Sequence, residues 1–232
     1  MAKKNNLVEN QNDQFSKTQA FVQNYRKQIL GGLIAIVVIL LGWFLFHQYV
    51  SIPREQKAST ELGKGQQYFM AEQFDKALNG DGATYAGFKR IADDYSSTKA
   101  GNLANLYAGL CEANLGKWQE AVKYLEDYDP ADDAMISPMA VDALGNAYVH
   151  VNQLDKAVST FKKAAKMADK ASKDGVNNTL SPRFLLQAGE ILESQNKKSD
   201  ALELYKKIKS DYVNSYYVQS QQIDAYIERA SR

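Results

Sequence analysis

Few side chains in this sequence are of a type and spacing that does chemistry. The two histidines, His47 and His150, lie far apart in sequence, whereas zinc coordination calls for His and Cys clustered at short spacing. Cys111 is the single cysteine, so no intrachain disulfide is possible. Its apolar, helix-patterned surroundings suit a small buried hydrophobe better than a reactive thiol. Asp93-Asp94 and Asp132-Asp133 are paired carboxylates, and both pairs read as solvated charges at turns or helix ends. Asn79-Gly80-Asp81-Gly82 has the outline of a calcium loop but lacks the further acidic positions and the closing Glu; it reads as a turn. No glycine-rich phosphate loop, GxSxG elbow or HExxH helix occurs. The expectation is no catalytic residue, no metal and no cofactor, so the chain is not read as an enzyme.

Binding is then the class of function left, and the elements that would present a surface are repeats. One stretch reads Ala143-Leu144-Gly145-Asn146-Ala147-Tyr148, then Leu154-Asp155-Lys156-Ala157, then Phe161 and Ala164. Small residues fall where paired helices would cross, and large ones fall where the gap needs filling. These are the Leu-Gly, Tyr, Ala, Phe, Ala positions of a tetratricopeptide repeat, in register. The glycines Gly65, Gly109, Gly145 and Gly189 are 44, 36 and 44 residues apart, and Ala77, Ala121, Ala157 and Ala201 give the same intervals. The second copy departs from the pattern at Glu112, where an aromatic is usual. The first copy is interrupted at Asn79-Gly80-Asp81-Gly82 and resumes at Phe88 and Ile91. Pro138 and Pro182 begin helix pairs, where a missing N–H costs little. Residues 214–230 read as one further, partly polar helix that caps the stack.

Ahead of the repeats, residues 29–46 contain no charged side chain. Eighteen such residues in a helix reach roughly 27 Å, close to the hydrocarbon thickness of a bilayer. No residue between Leu33 and Leu41 is polar, so this is not a core helix with a wet stripe. His47-Gln48-Tyr49-Val50-Ser51 offers no Ala-x-Ala cleavage site, so an uncleaved anchor is expected. Trp43, Phe44, Phe46 and Tyr49 crowd one end, as aromatic rings do at headgroups. The head carries net charge +3 and the body from Ser51 onward net −2. With Arg26 and Lys27 against the span, the head is expected in the cytoplasm and the body outside, in the periplasm of a bacterium.

The expected architecture is therefore all-α. A cytoplasmic polar, amphipathic head (1–28), with Phe15, Val22, Tyr25 and Ile29 at near-helical spacing, precedes a transmembrane helix (29–50). A periplasmic repeat domain (51–232) of about four helix pairs plus a capping helix follows. The body's slight negative charge, with no basic stripe interleaved with aromatics, excludes nucleic acid.

Projecting the register onto the first helix of each pair points Leu62, Phe69, Met70, Leu103, Leu106, Leu110, Asn146, His150, Arg183 and Leu186 toward a concave partner groove. The basic clamp by which some repeat proteins hold a terminal carboxylate is absent, because Leu62, Gln66, Tyr107, Met139 and Ala143 occupy its positions. Within the anchor, Gly31, Gly32 and Ala35 form a small-residue patch suited to contact with another membrane helix.

This order of parts resembles the YfgM-type bacterial inner-membrane proteins, ancillary subunits of the Sec protein-export channel. The resemblance rests on Glu9-Asn10-Gln11-Asn12-Asp13-Gln14 leading into an aromatic amphipathic stretch, then Arg26-Lys27, one anchor ending in Gly42-Trp43, and a degenerate four-unit repeat domain. It implies a body beside the channel exit and partnership with SecY, SecE, SecG and the anchored chaperone PpiD, with translocating polypeptides as further contacts. It implies no catalytic residue. The competing expectation is a periplasmic scaffold of another envelope pathway: cell wall, outer membrane or cytochrome maturation. An organellar import receptor with a cytosolic body would need reversed topology and usually a basic clamp.

Overall fold

One turn recurs in each helix pair and sets the spacing of the array. At Glu72, Gly116, Asn152 and Asn196 the backbone enters the left-handed region, with φ of 57°, 75°, 59° and 61°. The next residue's N–H then reaches back five residues: Gln73 to Tyr68, Lys117 to Glu112, Gln153 to Tyr148 and Lys197 to Leu192, at 2.8–2.9 Å. This six-to-one closure satisfies carbonyls that a helix end leaves open, and it reverses the chain into the second helix.

The computed structural model describes the backbone of residues 2–232 and the side chains of Phe21 and residues 23–232. Phe15 and Val22 of the amphipathic head have side chains outside the described residues. All elements are helical among the described residues, and the chain divides into two compact units, Met1–Arg54 and Glu55–Arg232.

In the first unit, α1 (Ala2–Phe46) leads into a π-helical segment, His47–Ser51. It contains the one stretch among the described residues that is long and apolar enough to cross a membrane, and none of that stretch is buried. Trp43 stacks on His47 with ring centroids 5.5 Å apart.

The second unit begins within α2 (Ile52–Met70), which pairs with a second helix delivered in two pieces, α3 (Phe74–Asn79) and α4 (Phe88–Asp94). Three regular pairs follow: α5 (Lys99–Asn114) with α6 (Trp118–Asp127), α7 (Ile136–His150) with α8 (Leu154–Lys170), and α9 (Ser181–Ser194) with α10 (Lys198–Asp211). Each glycine of the three regular pairs receives one large side chain. A methyl group on Gly109, Gly145 or Gly189 would stand 2.6, 2.7 or 2.3 Å from Leu125, Phe161 or Tyr205. Each of these partners is sixteen residues farther on. In the first pair Gly65 meets both Tyr85 and Phe88, the latter twenty-three residues farther on. The loop between α3 and α4 accounts for the difference, and Gly80, Gly82 and Gly87 turn it at positive φ. Asp81 holds it shut, its Oδ1 accepting the N–H groups of Ala83, Thr84 and Tyr85 at 2.8–2.9 Å. The expected turn is therefore a closed loop around one carboxylate.

Glu55, at the start of this unit, accepts the free N–H groups of Lys99 (2.7 Å) and Ala100 (3.0 Å) and so caps α5.

The C-terminal cap corrects the expectation of one helix over 214–230. It is a single turn, α11 (Tyr216–Gln219), followed by α12 (Gln222–Ser231), with Gln221 between them at φ 59°. The break lets Ile223 turn into the core, where it is buried, while Arg229 Nε meets Glu193 Oε1 of α9 at 3.0 Å.

A face with an apolar half and a polar half

The first helices α2, α5, α7 and α9 stand side by side and repeat the same positions relative to their glycines. Three residues before the glycine come Leu62, Leu106, Asp142 and Leu186. All three leucines are buried, at 6–7 % exposure. They pack between neighbouring helices instead of lining a groove, which corrects the expectation that they face a partner. A leucine on the inner stripe of a tightly stacked array is covered by the next helix, and the burial of its side chain helps hold the stack together.

The other expected groove residues divide by repeat. Phe69 is half-buried, edge-on to Phe74 and to Tyr107 (5.5 and 5.3 Å between centroids). Tyr107 in turn stacks on Phe88 at 5.0 Å and accepts a hydrogen bond from Gln66 Nε2 at 2.9 Å. Leu103 and Leu110 are half-buried, and Met70 is 76 % exposed. His150 is exposed and lies flat on Trp118, with centroids 3.6 Å apart. Gly31, Gly32 and Ala35 of α1 are exposed, with nothing within 4 Å of either glycine's would-be methyl.

In the later repeats the stripe is polar. Asp142 takes the place of the buried leucine, and its Oδ2 accepts from Arg183 Nη2 at 2.9 Å. Burial pushes the Asp142 carboxyl above its ordinary range, with Arg183 pulling the other way. Asn146 Nδ2 donates to the Asp142 carbonyl at 3.0 Å, and Gln187 Nε2 reaches Asn146 Oδ1 at 3.4 Å. Asp142 Oδ1, Arg183 Nε and Gln187 Oε1 are buried without a hydrogen-bond partner among the described residues. Sequence reasoning named Asn146 and Arg183 but missed Asp142. Aligning the four repeats would have exposed it as the one carboxylate at a leucine position.

No group of three or more His, Cys, Asp or Glu suited to a metal occurs among the described residues. Burial pushes the Cys111 thiol up to about 12, helped by the neighbouring Glu112 charge.

The tetratricopeptide repeat-like domain family matches residues 19–224. No curated protein matches the sequence. Among solved structures, the chain is similar to nearly identical TPR-like repeats from Podosopora anserina. It has 12% identity to them and a TM-score of 0.51, over 76% of this chain and 94% of that one, and a variant of the same repeats gives the same figures. It is also similar to MamA, with 15% identity and a TM-score of 0.49, over 72% of this chain and 92% of that one.

Proposed function

The chain belongs to the tetratricopeptide repeat-like domain family, and from that premise we propose that it is a membrane-anchored adaptor working through protein–protein contacts, without catalysis. The observation that carries the reading is the apolar, unburied stretch of α1 preceding in the same chain a stacked-helix array suited to docking. Arg26 and Lys27 beside the stretch favour a cytoplasmic head and a periplasmic array. The order of head, anchor and four repeats supports a place at the bacterial Sec export channel, with SecY, SecE, SecG and a PpiD-type chaperone as partners. The half-buried apolar residues Phe69, Leu103 and Leu110 supply a face for a partner's apolar side chains, and Asp142 and Arg183 supply a polar register beside it.

Two experiments test this reading. Protease added to intact spheroplasts is expected to remove the array, and protection of the array would reject the periplasmic placement. Purification in mild detergent is expected to recover the channel subunits in stoichiometric amount. Recovery of a cell-wall, outer-membrane or cytochrome-maturation complex in their place would transfer the same architecture to another envelope pathway.

A further inference from the structure

The turns entering α5 and α7 form one edge of the array, and they are tied to each other. Asn102 Nδ2 donates to the Asp129 carbonyl and Asn102 Oδ1 accepts from the Asp129 N–H, both at 2.7 Å. Between them lies an open cleft of about 740 Å³ lined by Asp93, Asp127, Asp129 and one lysine, Lys99. The three carboxylates are exposed, and none is in an ion pair among the described residues. The loop that leaves this cleft ends at Asp133. That residue is committed to capping α7, since its carboxylate accepts from the N–H groups of Met135, Ile136 and Ser137. Directly after the cap, Met135, Ile136 and Met139 are 66, 52 and 42 % exposed. Ile136 and Met139 are three residues apart on a helix and share a face.

Exposed large apolar side chains at the start of α7, joined through residues 130–134 to a cleft with unpaired negative charge, have a definite complement. We propose that this edge docks a basic amphipathic segment of a partner protein, with its apolar residues on Met135, Ile136 and Met139 and its Lys or Arg side chains over Asp93, Asp127 and Asp129. Methionine suits the role because its flexible thioether chain adapts to irregular apolar surfaces. The carboxylates add steering and select against acidic partners. An anionic lipid surface does not fit, because it would meet the same carboxylates with like charge. A second copy fits poorly too, since a two-fold contact through this edge would set aspartates against aspartates. The surface adjoins the inner stripe of α7 through Met139 but uses none of Phe69, Leu103, Leu110, Asp142 and Arg183, so either can fail without the other.

The test uses the full-length chain in zwitterionic nanodiscs and a fluorescent Leu/Lys peptide patterned as an amphipathic helix. Its controls are the same peptide with Glu replacing Lys, a scrambled Leu/Lys order, and empty nanodiscs. The patterned basic peptide is expected to bind in a salt-sensitive way. Asp127→Lys with Asp129→Lys, and separately Met135→Ser with Ile136→Ser and Met139→Ser, are each expected to weaken binding by about tenfold or more. All the substituted side chains are exposed, so unchanged far-ultraviolet circular dichroism should accompany the loss. Equal binding by the variants, equal binding of the Glu peptide, or no binding beyond empty nanodiscs would overturn the proposal. So would a dimer of the parent chain dispersed by the three serine substitutions, which would assign the face to a second copy.

Discussion

Glu112 of α5 lies 2.7 Å from Lys89 Nζ of α4, with the glutamate side chain 1 % exposed and the lysine 35 %. At the matching place one repeat later Tyr148 donates to Glu126 of the preceding second helix. The carboxylate thus stands where its sister repeat has a phenol, and both reach back to the second helix before them. Burial pulls the Lys89 pKa down, but the Glu112 hydrogen bond and charge outweigh it and leave it raised.

This pair predicts an asymmetric response to mutation. Lys89→Ala strands a buried carboxylate and is expected to cost about 2 kcal/mol. That is less than the roughly 3–5 kcal/mol of a fully buried pair, because water reaches the lysine and Lys117 stands 3.9 Å from the same carboxylate. Lys89→Met with Glu112→Leu is expected near neutral, since an apolar pair avoids the desolvation cost. Urea midpoints of the two variants, followed by circular dichroism, decide between these outcomes.

The left-handed turn residues predict opposite signs at equivalent positions. Glu72 bears a Cβ penalty at φ 57° that Gly116 avoids at φ 75°. Glu72→Gly is expected to stabilise by about 0.5–1 kcal/mol and Gly116→Glu to destabilise by about 1 kcal/mol. Thermal melts of both variants check the pair of signs together.

Glycines that look alike in sequence should respond differently to a single methyl group. On Gly101 it would stand 2.0 Å from the Tyr95 carbonyl oxygen, a backbone atom that cannot rotate away, whereas Gly63 has nothing within 4 Å. Gly101→Ala is expected to cost about 3 kcal/mol, and Gly63→Ala, mid-helix and open, to gain up to about 1 kcal/mol. Denaturant midpoints of the two variants should move in opposite directions.

Acid should open the loop around Asp81. Backbone N–H groups, Ala83 first among them, hold its carboxyl well below the ordinary 3.8. A depressed folded value means that this stabilisation is present above the unfolded value and lost as pH falls below about 4. Tyrosine fluorescence from Tyr68, which donates to Asp81 Oδ2 at 3.0 Å, and from adjacent Tyr85 should report a transition below pH 4. In Asp81→Asn that transition is expected to vanish, with the loop already loosened at neutral pH.

The repeat register, the small residues at the helix crossings, the interruption of the first pair and the apolar stretch of α1 were all legible in the chain. Each is written in local spacing: a helix places residues three and four apart on one face, and a crossing needs a small residue at a fixed place. The tertiary structure alone decided which polar side chains meet. Asp142 with Arg183, Glu112 with Lys89, and Glu55 on the amides of α5 all join residues 23 to 45 positions apart. Their meeting depends on how far neighbouring helices stand apart and how they are turned, and no spacing in the chain records that. For the same reason spacing alone did not show that Leu62, Leu106 and Leu186 lie buried. Periodicity gives the direction of a side chain, and the next helix decides whether solvent still reaches it.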